Sequence, residues 1–399
     1  MKYAHLADLH LGSWRDEKMR TLSTNAFLIA IDQCIEENVD FILFAGDLFN
    51  TSLPALDTLK IVTKKLKELH DKQIPLYVIP GSHDFSPSGK TMIDVLENAG
   101  LLINVHKGEV IDKSLHLKFT TDQKTGAKIT GILGRRGLLD RNYYENLVLE
   151  ETESYKIFMF HTSVTELMPI DLEMVESQPL STFPKGCHYY AGGHIHHPNL
   201  VETEDYVASY TGSLFPVNFH ELEKFGRGGY YIITYENNHQ EVTWKALEPM
   251  KHQGLSLNCA NKSPEMITFE ILNNFNNLDL KDTLITIKLK GKIQNGNVSD
   301  INFKHIFEQL YNQGAYFVMK NTNKLQSENF QEMKISNTDP EFVEEEIIKK
   351  HLQQQDLFDK EKEFELTKQL ISTLNTTKKE GEKVSDYNKR VIEEIKKSI

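Results

Sequence analysis

The chain carries five short segments whose residue types can do chemistry: Asp8-Leu9-His10, Gly46-Asp47, Gly81-Ser82-His83-Asp84, His161 and Gly193-His194-Ile195-His196. Their donors are carboxylate oxygens and imidazole nitrogens. That set suits Mn2+, Fe2+ or Zn2+, and the lack of cysteine among them argues against a structural zinc site. Taken singly, the segments say little. Asp-x-His is common, Gly-Asp often marks a turn, and a lone His161 is more often a satisfied polar residue. All five together, each behind an apolar run, are hard to explain by packing, because burying so many ionisable groups without a metal is costly. On extended backbone, Asp-x-His and His-x-His place both side chains on one face, since strand side chains repeat every two residues. The glycines before Asp47, Ser82 and His194 are expected to let the backbone turn tightly beside the ions.

The elements that must position these groups are legible as apolar runs. Residues 2–7, 40–45, 75–79, 156–160 and 189–191 read as strands, and each leads directly into one of the five segments. Between them, Phe27, Leu28, Ile31, Cys34 and Ile35 mark one helix face, and Leu56, Leu59, Val62, Leu66 and Leu69 mark another. Strand–helix–strand alternation implies βαβ units and a covered sheet. In open α/β sheets ligands bind at the carboxyl ends of strands, so segments far apart in sequence converge on one rim. Residues 229–235 and 241–246 add β-type runs, closing a first domain at about residue 250.

A second domain spans about 251–335. Residues 266–271, 283–290 and 315–320 read as strands and 303–311 as a helix, a small α/β unit. From 336 to 399 glycine nearly vanishes and Lys, Glu and Gln dominate. Asp339 before Pro340 is a helix start. Three apolar stripes follow at helical spacing: Val343, Ile347, Ile348 and Leu352; Phe364, Thr367, Leu370, Ile371 and Leu374; Val384, Tyr387, Val391, Ile392 and Ile395. Residues 376–383 read as a flexible linker. Short helices of this kind are marginal alone and call for a partner surface.

Composition sets outer bounds. The chain has 399 residues, no internal repeat, 39% hydrophobic and 26% charged residues, ordinary values for a soluble protein. A net charge of −12 speaks against a surface coated with DNA-binding charge, but leaves room for a local basic path. Three widely spaced cysteines, Cys34, Cys187 and Cys259, fit a reducing cytosol rather than a disulfide framework. No run approaches the roughly 18 apolar residues of a membrane span, and residues 1–8 are too short for a signal segment. A cytoplasmic protein without a membrane partner is expected.

The five segments, with Gly46-Asp47-Leu48-Phe49 and Tyr210-Thr211-Gly212-Ser213, resemble the calcineurin-like metallophosphoesterases. Within them they resemble the SbcD-type (Mre-eleven-like) nucleases of DNA double-strand-break repair. The resemblance covers the first 250 residues; beyond them only the layout matches. It implies a metallophosphoesterase β-sandwich flanked by helices, a small α/β cap over 251–335 that positions DNA, and C-terminal helices over 336–399 that bind an SbcC/Rad-fifty-type coiled-coil ATPase. It also implies two Mn2+ ions, with Mg2+, Fe2+ or Zn2+ as alternatives. Asp47 would bridge them. Asp8, His10 and His196 would complete the first site, and Ser82, His161 and His194 the second. His83 would stabilise the transition state or protonate the leaving oxygen, with Asp84 orienting it.

The sequence departs from the family at two positions. Ser82 stands where the family has asparagine, which implies a weaker second site. Asn50 stands where many relatives carry His or Asp, which bears on the balance of exonuclease and endonuclease activity. Candidate phosphate contacts are Arg135, Arg136, Arg141, Lys224 and Arg227. Lys288, Lys290 and Lys292 alternate on one strand and read as a solvated edge ahead of a DNA contact. By analogy the helices at 56–69 and 91–98 form a homodimer. The expected activity is Mn-dependent exonuclease and endonuclease cleavage at DNA ends. Two alternatives stand beside it: a metallophosphoesterase for small phosphoesters, and a DNA-end tether with a weak nuclease centre.

Overall fold

A computed structural model describes residues 1–86, 89–112, 114–135, 144, 147–172, 174–327, 344–345, 348–349, 359–379 and 382–398. Two units are distinguished, Met1–Glu328 and Asn329–Ile399.

The first unit is built on two six-stranded sheets. In one, Lys2–Leu6, Phe41–Ala45, Leu76–Ile79 and Ile103–Asn104 run parallel, and Gly228–Glu236 pairs antiparallel with Lys2–Leu6. In the other, Lys128–Gly131, Lys156–His161, Tyr189–Gly193 and Val207–Tyr210 run parallel. Alternate residues of the same strands serve two cores. Tyr3, Phe41, Leu43, Tyr77 and Ile79 meet Ile129, Ile157, Met159, Tyr189 and Ala191 between the sheets. Ala4, Leu6, Ile42, Phe44 and Val78 pack on the other side with Phe27, Ile31, Val62 and Leu66. Those four lie on the helices Glu17–Glu36 and Leu56–Asp71. Because both faces are buried, these strands read as unbroken apolar runs rather than as alternating ones. The result is a β-sandwich flanked by helices, as expected. Leu56, counted in the apolar stripe of its helix, is 81% exposed and lies outside that core.

The inter-sheet layer also holds a polar knot. Tyr189 Oη lies 3.0 Å from His5 Nδ1 and 2.7 Å from Ser209 Oγ, all three residues buried. Burial pushes the His5 imidazole down to about 3, so this histidine is a neutral internal tie rather than a charge.

Residues 251–326 form a three-stranded parallel sheet, Lys251–Asn258, Thr283–Lys292 and Phe317–Gln326, joined by the helices Pro264–Phe275 and Phe303–Asn312. The expectation of a strand at 266–271 fails. Ser263 caps the helix, its hydroxyl accepting from Met266 N–H, and Pro264 follows at the first helical position. Ile267, Ile271 and Phe275 then recur every four residues on the buried face. The expected edge for Lys288, Lys290 and Lys292 fails too. Their strand is the central one, its register shifts between Lys288 and Lys290, and the Lys288 ammonium pairs with Glu223 at 2.7 Å.

In the second unit the described helices are Lys360–Leu374 and Val384–Ser398. Within the expected linker at 376–383, Thr376 and Glu382 are bonded to the following helix: Tyr387 Oη donates to Thr376 O at 2.9 Å, and Arg390 Nε donates to Glu382 at 2.9 Å. The helix start expected at Asp339-Pro340 lies outside the described residues. No described helix is long and apolar enough to cross a membrane.

The helix Pro264–Phe275 has a measurable consequence. Ser263→Ala removes a helix cap and should cost about 1 kcal/mol in urea unfolding. A strand at 266–271 would leave the midpoint unchanged.

Candidate metal centre

Five parallel strands deliver the five segments to one end of the sandwich. Lys2–Leu6, Phe41–Ala45 and Leu76–Ile79 end just before Asp8, Asp47 and Gly81. His161 closes Lys156–His161, and His194 follows Tyr189–Gly193. The side chains are not presented by extended backbone, however. Asp8, His10, Asp47 and His194 have φ of 51°, 42°, 51° and 94°. They sit in the left-handed region, where non-glycine residues are uncommon and cost of order 1–3 kcal/mol each. The shared face inferred for Asp8 with His10, and for His194 with His196, therefore arises from turns beyond the strand ends. The chain stores strain to aim these groups.

Ligand atoms gather in three overlapping groups, in each of which all atoms lie within 4.8 Å of one another: Asp8, His10 and His196; Asp8, Asp47 and His161; His10, Asp47 and His83. Asp47 Oδ2 is the hub, 3.1 Å from His161 Nε2 and 3.5 Å from His10 Nε2. His10 and His196 turn Nε2 toward each other at 3.0 Å. His161 Nδ1 donates to Ala45 O at 2.9 Å, which leaves Nε2 as the donor atom for a cation. Burial pushes the His10 imidazole down to about 3 and that of His194 to about 4, so both are neutral, as ligands must be. Burial also lifts Asp8 to about 6. Burial opposes ionisation of Asp47 as well, but the charge on His161 overcomes it and holds that carboxyl well below the usual range. Two carboxylates and three imidazoles packed this tightly, with the Nε2 atoms of His10, His161 and His196 converging, fit divalent cations. Bound ions would acidify a water and clamp phosphoryl oxygens.

His194 stands outside the three groups. Its ring lies 5.3 Å from that of His161, and its backbone N–H donates to Asp8 at 3.0 Å. Ser82 sits half-buried between Gly81 and His83. His83, half-buried with its ring 4.8 Å from that of His10, donates from Nδ1 to Asn50 O at 2.9 Å, which leaves Nε2 as the nitrogen available to other partners. Asp84, expected to orient His83, bonds to main chain. The buried Asp84 carboxylate accepts from the backbone N–H groups of Gly81 at 2.9 Å, Phe49 at 3.2 Å and Leu48 at 3.4 Å. It ties the second segment to the third, and His83 is positioned through that tie and the Asn50 carbonyl. Asn50 thus acts through its main chain.

The glycines divide by role. Gly46, at φ 92°, makes a turn that only glycine adopts freely. Gly81 has ordinary φ and is there for space, since a Cβ would stand 2.3 Å from both Asp47 N and Asp47 Oδ1.

Sequence reasoning missed Glu221, in the helix Phe219–Phe225, whose carboxylate lies 3.0 Å from His196 Nδ1. The available signal was Asn218 three residues before it, a helix cap followed by an acid. Of the expected DNA contacts, Arg135 is exposed, Arg136 and Arg141 lie outside the described residues, and Arg227 is paired with Glu248 at 2.6 Å.

Two outcomes follow. Gly81→Ala should destabilise the metal-free protein by about 1–3 kcal/mol through overpacking against main chain, read by urea unfolding. A neutral midpoint would contradict the close approach. Metal loading should also release protons. Burial disfavours a charged His161, but the Asp47 carboxylate outweighs that and raises it to about 10 without metal. The ion pair therefore stabilises the metal-free fold fully below the ordinary histidine range and is lost as pH rises through about 10. At a mildly alkaline pH a metal must displace that proton, so titration heats should scale with buffer ionisation enthalpy, and affinity should fall as pH falls. Heats independent of the buffer would contradict this.

Residues 1–198 match the model of the calcineurin-like phosphoesterase family. The chain is 32% identical over 240 residues to the DNA double-strand break repair protein Mre11 of Archaeoglobus fulgidus, covering 57% of this chain and 53% of that protein. It is 29% identical over 247 residues to the Mre11 protein of Methanococcus maripaludis, covering 57% and 61%. It is 27% identical over 271 residues to a component of the SbcCD nuclease of Staphylococcus epidermidis, covering 63% and 71%. The matched part thus spans little more than half the length of the two archaeal relatives. The residues matched to the family model include all five segments of the rim, so the part of the chain that builds the rim is similar to the calcineurin-like phosphoesterases.

Proposed function

We propose that this protein is a metal-dependent DNA nuclease that hydrolyses phosphodiester bonds at DNA ends. The observation that carries the reading is the convergence of Asp8, His10, Asp47, His161 and His196 on a hub at Asp47, with His83 beside it. The choice of DNA is supported by relatives named as a double-strand break repair protein and as part of a nuclease. Two Mn2+ ions are the cofactor we favour, and Asp47 would contribute to holding both. Asp8, His10 and His196 would hold the first ion, and His161, His194 and Ser82 the second.

The chain's own groups have distinct tasks. The rim residues hold their geometry before substrate arrives, because strained backbone and main-chain hydrogen bonds fix them. His83, anchored through Nδ1 by a carbonyl that can only accept, presents Nε2 to the phosphoryl group or leaving oxygen once protonated. Asp84 keeps that histidine's segment against Leu48 and Phe49.

Phosphate contacts are assigned to Arg135, Arg136 and Arg227, with residues 251–335 as a DNA-positioning cap. For Arg227 this requires exchanging Glu248 for a phosphate. An SbcC/Rad-fifty-type ATPase is proposed to bind residues 336–399. In support, the paired helices there leave Leu374, Val384 and Ile392 exposed, an apolar surface of the kind a partner covers. A homodimer through residues 56–69 and 91–98 is supported by exposed Leu56 and Val95.

The test is cleavage of end-labelled double-stranded DNA with Mn2+, comparing the native chain with His83→Gln. Metal-dependent degradation that falls by at least about 100-fold in the variant is expected. Hydrolysis of a generic aryl phosphodiester without any DNA cleavage would overturn the DNA reading.

A further inference from the structure

The helix Phe219–Phe225 lies beyond the residues matched to the family model, yet it reaches the metal centre. Leu222 anchors it in a buried cluster with Met19, Leu22, Phe215 and Leu284. Glu223 pairs with Lys288 of the three-stranded sheet. Glu221 points to His196.

Glu221 is unusually constrained for a carboxylate. One oxygen lies 3.0 Å from His196 Nδ1 and accepts from Asn218 Nδ2 at 2.6 Å. The other accepts from Val217 N–H at 3.1 Å and Ser213 Oγ at 3.3 Å. The side chain is 12% exposed. Its partners come from three places: the end of the His-x-His turn, the Gly212-Ser213 segment, and the residues that open the helix.

We infer that Glu221 is a positioning residue for the metal centre, acting through His196. A carboxylate can only accept, so it fixes the His196 proton on Nδ1. That leaves Nε2 as the ring nitrogen facing His10 Nε2 and Asp8, 3.0 and 3.7 Å away. The negative charge also raises the basicity of the ring, strengthening its bond to a cation. Partners of this kind typically set metal affinity by about 10–100-fold. The inference rests on the reading of His196 as a metal ligand.

The competing explanation is that Glu221 merely caps its helix with Asn218. Glu221→Gln separates the two, because the amide oxygen still accepts hydrogen bonds while the charge is lost. Full-length native protein, Glu221→Gln and Asn218→Ala are titrated with Mn2+ alone by calorimetry, and the thermal midpoint of each metal-free protein is recorded. In Glu221→Gln, one Mn2+ site should weaken by at least about tenfold while the other holds and the metal-free midpoint stays near native. Asn218→Ala, which removes the cap and leaves the carboxylate, should lower the midpoint and keep both affinities. Unchanged affinity in Glu221→Gln, or an equal loss in Asn218→Ala, would overturn the inference. Should Glu221→Gln fail to fold, Asn218→Ala still decides, since a loss of affinity there would assign the effect to the helix. A native protein that takes up no Mn2+ would instead overturn the metal-centre reading itself.

Discussion

The structure depends on keeping two buried carboxylates and a ring of imidazoles within a few ångströms of each other. Burying such groups strips their hydration and sets the two carboxylates against each other, a cost that the Asp47–His161 ion pair offsets in part and a bound cation would offset further. Asp8 and Asp47 are almost fully buried, and Asp8 is lifted to about 6 by that burial. The scaffold answers with rigidity rather than solvent. Left-handed residues aim the ligands, Gly81 clears a path for main chain against Asp47, and Asp84 binds three backbone N–H groups to hold two segments together. Each device matters because the next one leaves no slack.

The sandwich supplies the frame for that rigidity. Its site strands run parallel with helices packed outside, so five strand ends share one rim. The buried polar knot of His5, Tyr189 and Ser209 ties the two sheets together below that rim. The helix carrying Glu221 closes the arrangement from outside the matched domain and joins it to the three-stranded sheet through Glu223 and Lys288. Chemistry at the rim is therefore supported by parts of the chain with no chemical motif of their own.

Much of this was legible in sequence for physical reasons. Runs such as 40–45 are apolar throughout because both faces of the strand are buried, and their ends carry the residues that could bind ions. What sequence could not give was backbone conformation. Asp8 and His10 look like alternate residues of a strand, but tertiary packing turns both to positive φ. Neither could it give contacts made by main chain, such as the Asn50 carbonyl on His83, which no side-chain identity announces. The short apolar run at 266–271 fits either period, and the Ser263-Pro264 start is the signal that decides for a helix. Glu221 was hidden because its role depends on a neighbour 25 positions away in sequence.

The most direct test of a centre organised on Asp47 is metal stoichiometry by equilibrium dialysis against Mn2+, comparing the native chain with Asp47→Asn and His10→Ala. Two ions per chain are expected in the native protein, one retained in His10→Ala, and weakened binding of both in Asp47→Asn. A native chain that holds fewer than two ions, or an Asp47→Asn variant that keeps both at native affinity, would contradict it.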